Sequence, residues 1–193
     1  MSRPAGERRQ QILEALAQML EAPQPEKITT AALAQRLAVS EAALYRHFAS
    51  KAQMYEGLIA FIEEALFSRI NRIVSEEPDG LAQVRAILTL LLAFAEKNPG
   101  MTRVLLGEAL VHEHERLLAR VTQLHERLEA SLRQSLRIAA SQAEPAAAPE
   151  LSAARANLLM SFVLGRWHQF VRSGFRRAPT EHWRLQSVLL LGG

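Results

Sequence analysis

Apolar residues recur at helical spacing through most of this chain, and nowhere do they alternate convincingly over the length of a strand. Ile12, Leu13, Leu16, Met19 and Leu20 fall at i, i+1, i+4, i+7 and i+8. A longer stripe follows in Met54, Leu58, Phe61, Ile62, Leu66, Ile70 and Ile73, and a third in Leu117, Val121, Leu124, Leu128 and Leu132. Such spacing puts each set on one side of a 3.6-residue helix. It leaves no room for a sandwich or barrel, and it predicts an all-α fold. Composition agrees where it matters: Gly (9) and Pro (8) are few among 193 residues, and helix formers dominate.

The breaks are marked by proline, glycine and small residues. Pro23 and Pro25, Glu77-Pro78-Asp79-Gly80, Asn98-Pro99-Gly100 and Ala178-Pro179-Thr180 stop one helix and start the next. Ala139–Pro149 reads as a loop. Ser50-Lys51-Ala52-Gln53 fits a capping box, so a long helix should begin at about Lys51. Ala86–Ala95 is apolar all round, as at the centre of a bundle. At ten residues it is about half of what a bilayer span needs. Two further helices fit Leu151–Ser173 and Thr180–Leu191. No signal-peptide core follows the N-terminus, and we expect a soluble cytoplasmic protein with no membrane partner.

With no cysteine, disulfides, thiolate metal sites and thiol catalysis are excluded. Net charge is only +3, but it is uneven: residues 155–193 carry six basic side chains and one acidic one. His112-Glu113-His114-Glu115 is not a zinc-protease motif, because Arg116 stands where the second histidine would be. No Gly-rich phosphate loop appears. We expect no metal, no cofactor and no enzymatic activity.

The informative segment is Ile28–Lys51, ITTAALAQRLAVSEAALYRHFASK. It reads as two short helices and a tight turn. Thr29 or Thr30 can cap the first, whose inward residues are Leu33, Ala34 and Leu37. The turn falls near Ala38-Val39, and Ser40 can cap the second helix. Leu44 and Phe48 face inward from that helix, leaving Ala42, Ala43, Tyr45, Arg46 and His47 outward. A helix with small residues at its start can approach base edges in the major groove. Tyr45 and Lys51 are positioned for phosphates, and Arg3, Arg8 and Arg9 for a flexible arm. By pattern alone, a helical hairpin in an ordinary bundle remains open as the alternative.

The segment resembles the DNA-binding domain of the TetR family of bacterial regulators. The matching pieces are Thr29-Thr30, Leu33-Ala34, Val39-Ser40, Leu44-Tyr45-Arg46-His47-Phe48 and Ser50-Lys51. The family commonly has glycine where this chain has Ala38, so we expect a strained turn there. The resemblance implies an N-terminal helix-turn-helix domain, residues 1–50. It implies a C-terminal helical bundle for dimerisation and partner binding, residues 51–193. The expected DNA contacts are Thr29, Thr30, Ser40, Ala42, Ala43, Tyr45, Arg46, His47 and Lys51.

The likeness continues beyond the shared domain. Ile59-Ala60-Phe61-Ile62-Glu63, Ser68-Arg69-Ile70-Asn71, Glu96–Arg103 and Phe170-Val171-Arg172-Ser173 are similar to the subgroup of nucleoid occlusion factors. Members of that subgroup bind palindromic double-stranded sites on the chromosome as homodimers. The resemblance leaves open a dimer of dimers on one site. On DNA they bind the C-terminal tail of the division protein FtsZ and disrupt its polymers, which implies a cytoplasmic, nucleoid-associated protein. The groove for that tail maps to Phe61, Arg69, Leu90, Ala93, Lys97 and Asn98. Lys97 stands in place of an arginine and Ala93 in place of a glycine. Lysine keeps the charge but loses the fork geometry.

Leu158, Leu159, Phe162, Val163, Trp167 and Phe170 fall at helical spacing and are expected at the dimer interface, together with Leu185, Val188, Leu189 and Leu191. Trp167, His168, Phe170 and Trp183 would instead line an effector pocket if the chain were a ligand-responsive repressor. A purely structural helical dimer is a third reading.

Overall fold

In the structure, a computed structural model that describes residues 5–22, 28–111, 113–143 and 149–192, the chain is helical between its proline- and glycine-marked breaks. The helices among the described residues are α1 (Ala5–Met19), α2 (Thr30–Arg36), α3 (Glu41–Tyr45) and α4 (Lys51–Glu76). They continue as α5 (Gly80–Lys97), α6 (Pro99–Leu105), α7 (Glu115–Gln142), α8 (Pro149–Arg172) and α9 (Trp183–Leu191), with a 3₁₀ turn at Glu108–Leu110. No described residue is in a strand.

The sequence signals set most of these limits. The α4 helix begins at Lys51, where the Ser50 hydroxyl accepts from the Gln53 N–H at 3.2 Å. The Gln53 side chain reaches back one residue further than in a standard box and accepts from the Ala49 N–H at 2.9 Å. Asp79 caps α5 by accepting from Leu81 and Ala82. Pro99 and Pro149 each occupy the first turn of a helix, where a missing N–H costs nothing.

Two expectations fail. Ala139–Gln142 is helical and ends α7, because alanine is the best helix former and Pro149 acts as a start signal. Residues 144–148 of that expected loop lie outside the described residues, as do Pro23 and Pro25. Nor is Ala86–Ala95 buried all round: Ile87, Leu88, Leu91 and Leu92 are, while Thr89 is exposed and Leu90 and Ala93 are half-buried.

Packing divides the chain into two units, residues 1–62 with 98–121, and residues 63–97 with 122–193. The first part of α4 belongs with the short N-terminal helices, and α6 returns to join them. Leu16, Leu33, Leu44, Phe48, Met54 and Leu58 are among the buried side chains of the first unit. There α6 abuts α1 so closely that a Cβ on Gly100 would stand 2.0 Å from the Ala17 carbonyl oxygen. In the second unit Leu66, Ile87, Leu91, Leu128, Leu159 and Trp167 lie fully inside. The start of α5 meets α7 with the same intimacy, a Gly80 Cβ falling 2.2 Å from the Ala139 nitrogen.

Candidate nucleic-acid interface

The α2–turn–α3 unit forms as its residues dictate. Thr29 is extended (φ −103, ψ 156) and its hydroxyl oxygen accepts from the Ala32 N–H at 3.1 Å. Ser40 is likewise extended and accepts from the Ala43 N–H at 3.3 Å. Each cap supplies a partner to one of the orphan N–H groups of a helix start. Between the helices Ala38 adopts φ 53, the left-handed conformation expected at the turn. A side chain there costs about 1 kcal/mol relative to glycine.

The two helices are tied by side chains as well as by Leu33 and Leu44. The Thr30 hydroxyl donates to the Glu41 carboxylate at 2.5 Å, and the Tyr45 hydroxyl stands 3.5 Å from the same Thr30 oxygen. Thr30 is therefore half-buried and engaged within the motif. Thr29, Ala42, Tyr45 and Arg46 are exposed, and Ser40 with them, whereas Ala43 and His47 are half-buried. Tyr45 keeps 45% of its surface open although Leu44 beside it keeps 1%. The exposed side of α3 is thus small at its start and carries a phenol and a guanidinium at its end.

Lys51, at the first position of α4, pairs with Glu113 at 2.5 Å and lies 5.7 Å from the Tyr55 ring. Burial, with a smaller contribution from Glu113, holds the Tyr55 phenol well above its usual range. Arg8 and Arg9 do not form a flexible arm. Both lie in α1, where Arg8 donates to Gln11, and Arg9 donates to the His47 carbonyl at 2.7 Å with its guanidinium 4.2 Å from the Phe48 ring centre. Arg3 lies outside the described residues. Sequence pattern missed the Lys51–Glu113 and Arg9–His47 contacts because each joins residues more than thirty positions apart.

The remaining expected positions divide between the units. In the first, Phe61 is exposed on α4, and Asn98 precedes α6, its carbonyl accepting from the N–H and hydroxyl of Thr102. In the second, Arg69 is exposed on α4 and makes no ion pair among the described residues. Leu90, Ala93 and Lys97 share one side of α5 at i, i+3 and i+7, with Lys97 exposed and the other two half-buried.

The residues expected at a dimer interface do not behave as one set. Leu159, Val163, Trp167 and Phe170 are packed inside the second unit, each at most 3% exposed, and offer no free surface. The Trp167 indole N–H donates to the Leu91 carbonyl at 3.1 Å. The free apolar side of α8 is Leu151, Leu158 and the half-buried Phe162. On α9 it is Leu185, Val188 and Leu189, with Leu189 84% exposed, while Leu191 is buried. The Phe162 and Trp183 rings lie 6.0 Å apart and join the two helices.

An open depression of about 660 Å³ lies beside the start of α5, lined by Leu81, Leu136, Ala140, Leu151 and Arg155 among others. None of Trp167, His168, Phe170 and Trp183 belongs to it. Trp183 donates to the Thr89 hydroxyl at 2.8 Å, and His168 is exposed. Five of the six arginines in residues 155–193 are exposed or half-buried. Arg166 is 7% exposed and donates to the carbonyls of Ala178, Pro179 and Glu181, which shapes the α8–α9 connection. No group of three or more metal-ligating side chains occurs among the described residues, and His112 lies outside them.

Residues 12–58 match the family described as bacterial regulatory proteins of the tetR family, and residues 78–192 match a tetracyclin repressor-like C-terminal domain of the SlmA-like kind. The nucleoid occlusion factor SlmA of Idiomarina loihiensis is 53% identical over 93% of this chain and 91% of its own. That of Vibrio cholerae is 54% identical over 94% of each. Among solved structures, the fatty acid degradation regulator FadR of Bacillus halodurans superposes with a TM-score of 0.77 at 14% identity, covering 100% of this chain and 97% of that one.

Proposed function

Since the chain belongs to the TetR family of bacterial regulators, and within it to the SlmA group of nucleoid occlusion factors, we propose that it binds palindromic chromosomal sites as a homodimer, takes up the C-terminal tail of FtsZ there, and disrupts FtsZ polymers. As a member of that family it is a DNA-binding regulator and not an enzyme. It acts on the nucleoid, in the cytoplasm.

One observation carries the reading. Sequence agreement of 53% runs through the C-terminal domain as well as the DNA-binding one, whereas the fold alone is shared at 14% identity. A common bundle is no reason for a common partner. Identity of 53% along 93% of the chain is.

In this reading α3 enters the major groove, with the methyl groups of Ala42 and Ala43 against base edges and Tyr45 and Arg46 beside them. The exposed Thr29 hydroxyl, whose oxygen caps α2, still has its proton free for a phosphate. Lys51 exchanges Glu113 for the DNA backbone or shares the two. Phe61 and Leu90 supply apolar contacts for an extended peptide, and Arg69 and Lys97 supply cations for its acidic groups. Leu151, Leu158, Leu185, Val188 and Leu189 meet their symmetry mates across a two-fold axis.

A ligand-released repressor would need a chamber around Trp167 and Phe170, and both side chains are filled in by their own neighbours. The deciding experiment is sedimentation of FtsZ polymers with this protein, with and without its cognate DNA. Loss of pelletable polymer that requires the DNA supports the reading. Unchanged polymer at saturating protein and DNA overturns it.

A further inference from the structure

The α1 helix is gripped at both ends by arginines from elsewhere in the first unit or by its own. At its C-terminal end, the last carbonyls of a helix have no intrahelical partner. Just past that end, which falls at Met19, Arg103 of α6, 4% exposed, donates from one nitrogen to the Leu20 carbonyl at 2.9 Å and to the Ala22 carbonyl at 2.6 Å. Burial lowers the pKa of this guanidinium and Glu108 works against that. One turn earlier on α6, Gly100 lets the α6 backbone stand against the Ala17 carbonyl. At the N-terminal end of α1, Arg9 spans 38 residues to the His47 carbonyl, immediately beyond α3, and covers the buried Phe48 ring.

We propose that Arg103 and Arg9 are positioning residues for DNA reading, and that α1 is the rod through which the position of α6 sets the orientation of α3. The α3 helix is only five residues long, so few of its backbone groups can bond within it. Its orientation depends on what holds its ends. Ser40 and Glu41 hold the start, and Arg9 holds the end. Arg9 is exposed and would ordinarily be read as a phosphate contact, but a guanidinium committed to a carbonyl and a ring is not free for one. The α6 helix starts directly after Asn98, so a partner that moves Asn98 moves Arg103 with it. That last step rests on the partner reading given above, whereas the positioning roles rest on DNA binding alone.

The test uses the full-length protein, labelled operator DNA and a salt series. Arg9→Gln is expected to weaken operator binding about tenfold, the worth of one charge-assisted hydrogen bond, with the slope of log affinity against log salt unchanged. Arg9→Lys, which keeps the charge and one donor, is expected to recover part of the loss. A slope reduced by about one would mean that Arg9 touches a phosphate itself, and unaltered affinity would mean that it positions nothing; either overturns the assignment. For Arg103 the variant is Arg103→Met, which keeps an apolar stem but has no N–H to give either carbonyl. Hydrogen exchange is expected to quicken at the amides of Leu44, His47 and Phe48, with those of Leu58 and Ile59 in α4 unaffected. Equal quickening throughout the first unit, or none at α3, overturns the rod. Should the unaltered protein show no salt-dependent operator binding at all, the DNA reading fails instead, and the two failures are distinct.

Discussion

The helices that carry the candidate DNA contacts, α2 and α3, have seven and five residues, whereas α5 and α8 of the second unit have 18 and 24. In the short helices most backbone N–H and C=O groups are end groups. Side chains have to serve them: Thr29 and Ser40 at two starts, and Arg9 beyond the second end. In the long helices the ends are a small fraction, and stability comes from apolar area around Trp167, Leu91 and Leu128. In the first unit a few directed bonds add to the buried core of Leu16, Leu33, Leu44 and Phe48, and each of them also fixes an orientation. In the second unit non-directional burial carries the larger share and leaves one apolar side of α8 and α9 open. A reader of DNA needs the first kind of construction and a dimerisation bundle needs the second.

Removing Trp167 should break this contrast most severely. Trp167→Ala is expected to cost about 3–5 kcal/mol in urea unfolding, as for large-to-small changes in packed cores. Removing a single cap such as Ser40 should cost only about 1 kcal/mol. If the two costs were equal, the distinction between burial and directed bonds would not hold. Next in size is the free apolar side of α8 and α9. Leu158→Arg combined with Leu189→Arg is expected to weaken self-association by about 2–4 kcal/mol in sedimentation equilibrium, with helicity retained, because both side chains are exposed in the folded chain. Leu159→Arg, one position away, would bury an unpaired charge and unfold the chain instead.

A third variant asks whether the partner surface is separate from the reading surface. Arg69→Asp is expected to weaken binding of a labelled FtsZ tail peptide by about 2 kcal/mol, the scale of a charge-assisted contact, while operator affinity stays within a few fold. Full retention of peptide binding would remove Arg69 from the groove. The smallest effect is expected in the helix-turn-helix turn. Ala38→Gly relieves a left-handed alanine and should stabilise the first unit by about 1 kcal/mol in thermal unfolding. A destabilising result would mean that the greater freedom of glycine in the unfolded chain outweighs the relief of strain.

What the sequence made legible follows the same division. The caps at Thr29 and Ser40, the start of α4 at Lys51 and the strained Ala38 are all local, decided within a few residues, and they could be read directly. The apolar stripe of α8 could also be read, but not which part of it turns inward. Leu158 and Leu159 are adjacent and equally apolar, yet one is 60% and the other 1% exposed. Periodicity reports that a helix has an apolar side; it does not report how much of that side a particular neighbour will cover. The long-range ties were hidden altogether. Arg9 to His47, Arg103 to Leu20 and Lys51 to Glu113 join residues with no shared local pattern, so the sequence offers Lys51 and Arg9 to phosphates and gives no sign that each is already held within the fold.

The aromatic residues that hold these units together also divide between them. Its two tryptophans, Trp167 and Trp183, both lie in the second unit, and its two tyrosines, Tyr45 and Tyr55, both lie in the first. Trp167 is sealed from water with its indole N–H on a fixed carbonyl, so its emission registers the integrity of the bundle. Light that excites only indoles therefore interrogates the C-terminal bundle. Phenol absorption lies under that of the indoles, so the reverse selection is not available for Tyr45 and Tyr55 of the first unit. Unfolding of the second unit can be followed by indole emission without a label, and without the first unit contributing to the signal.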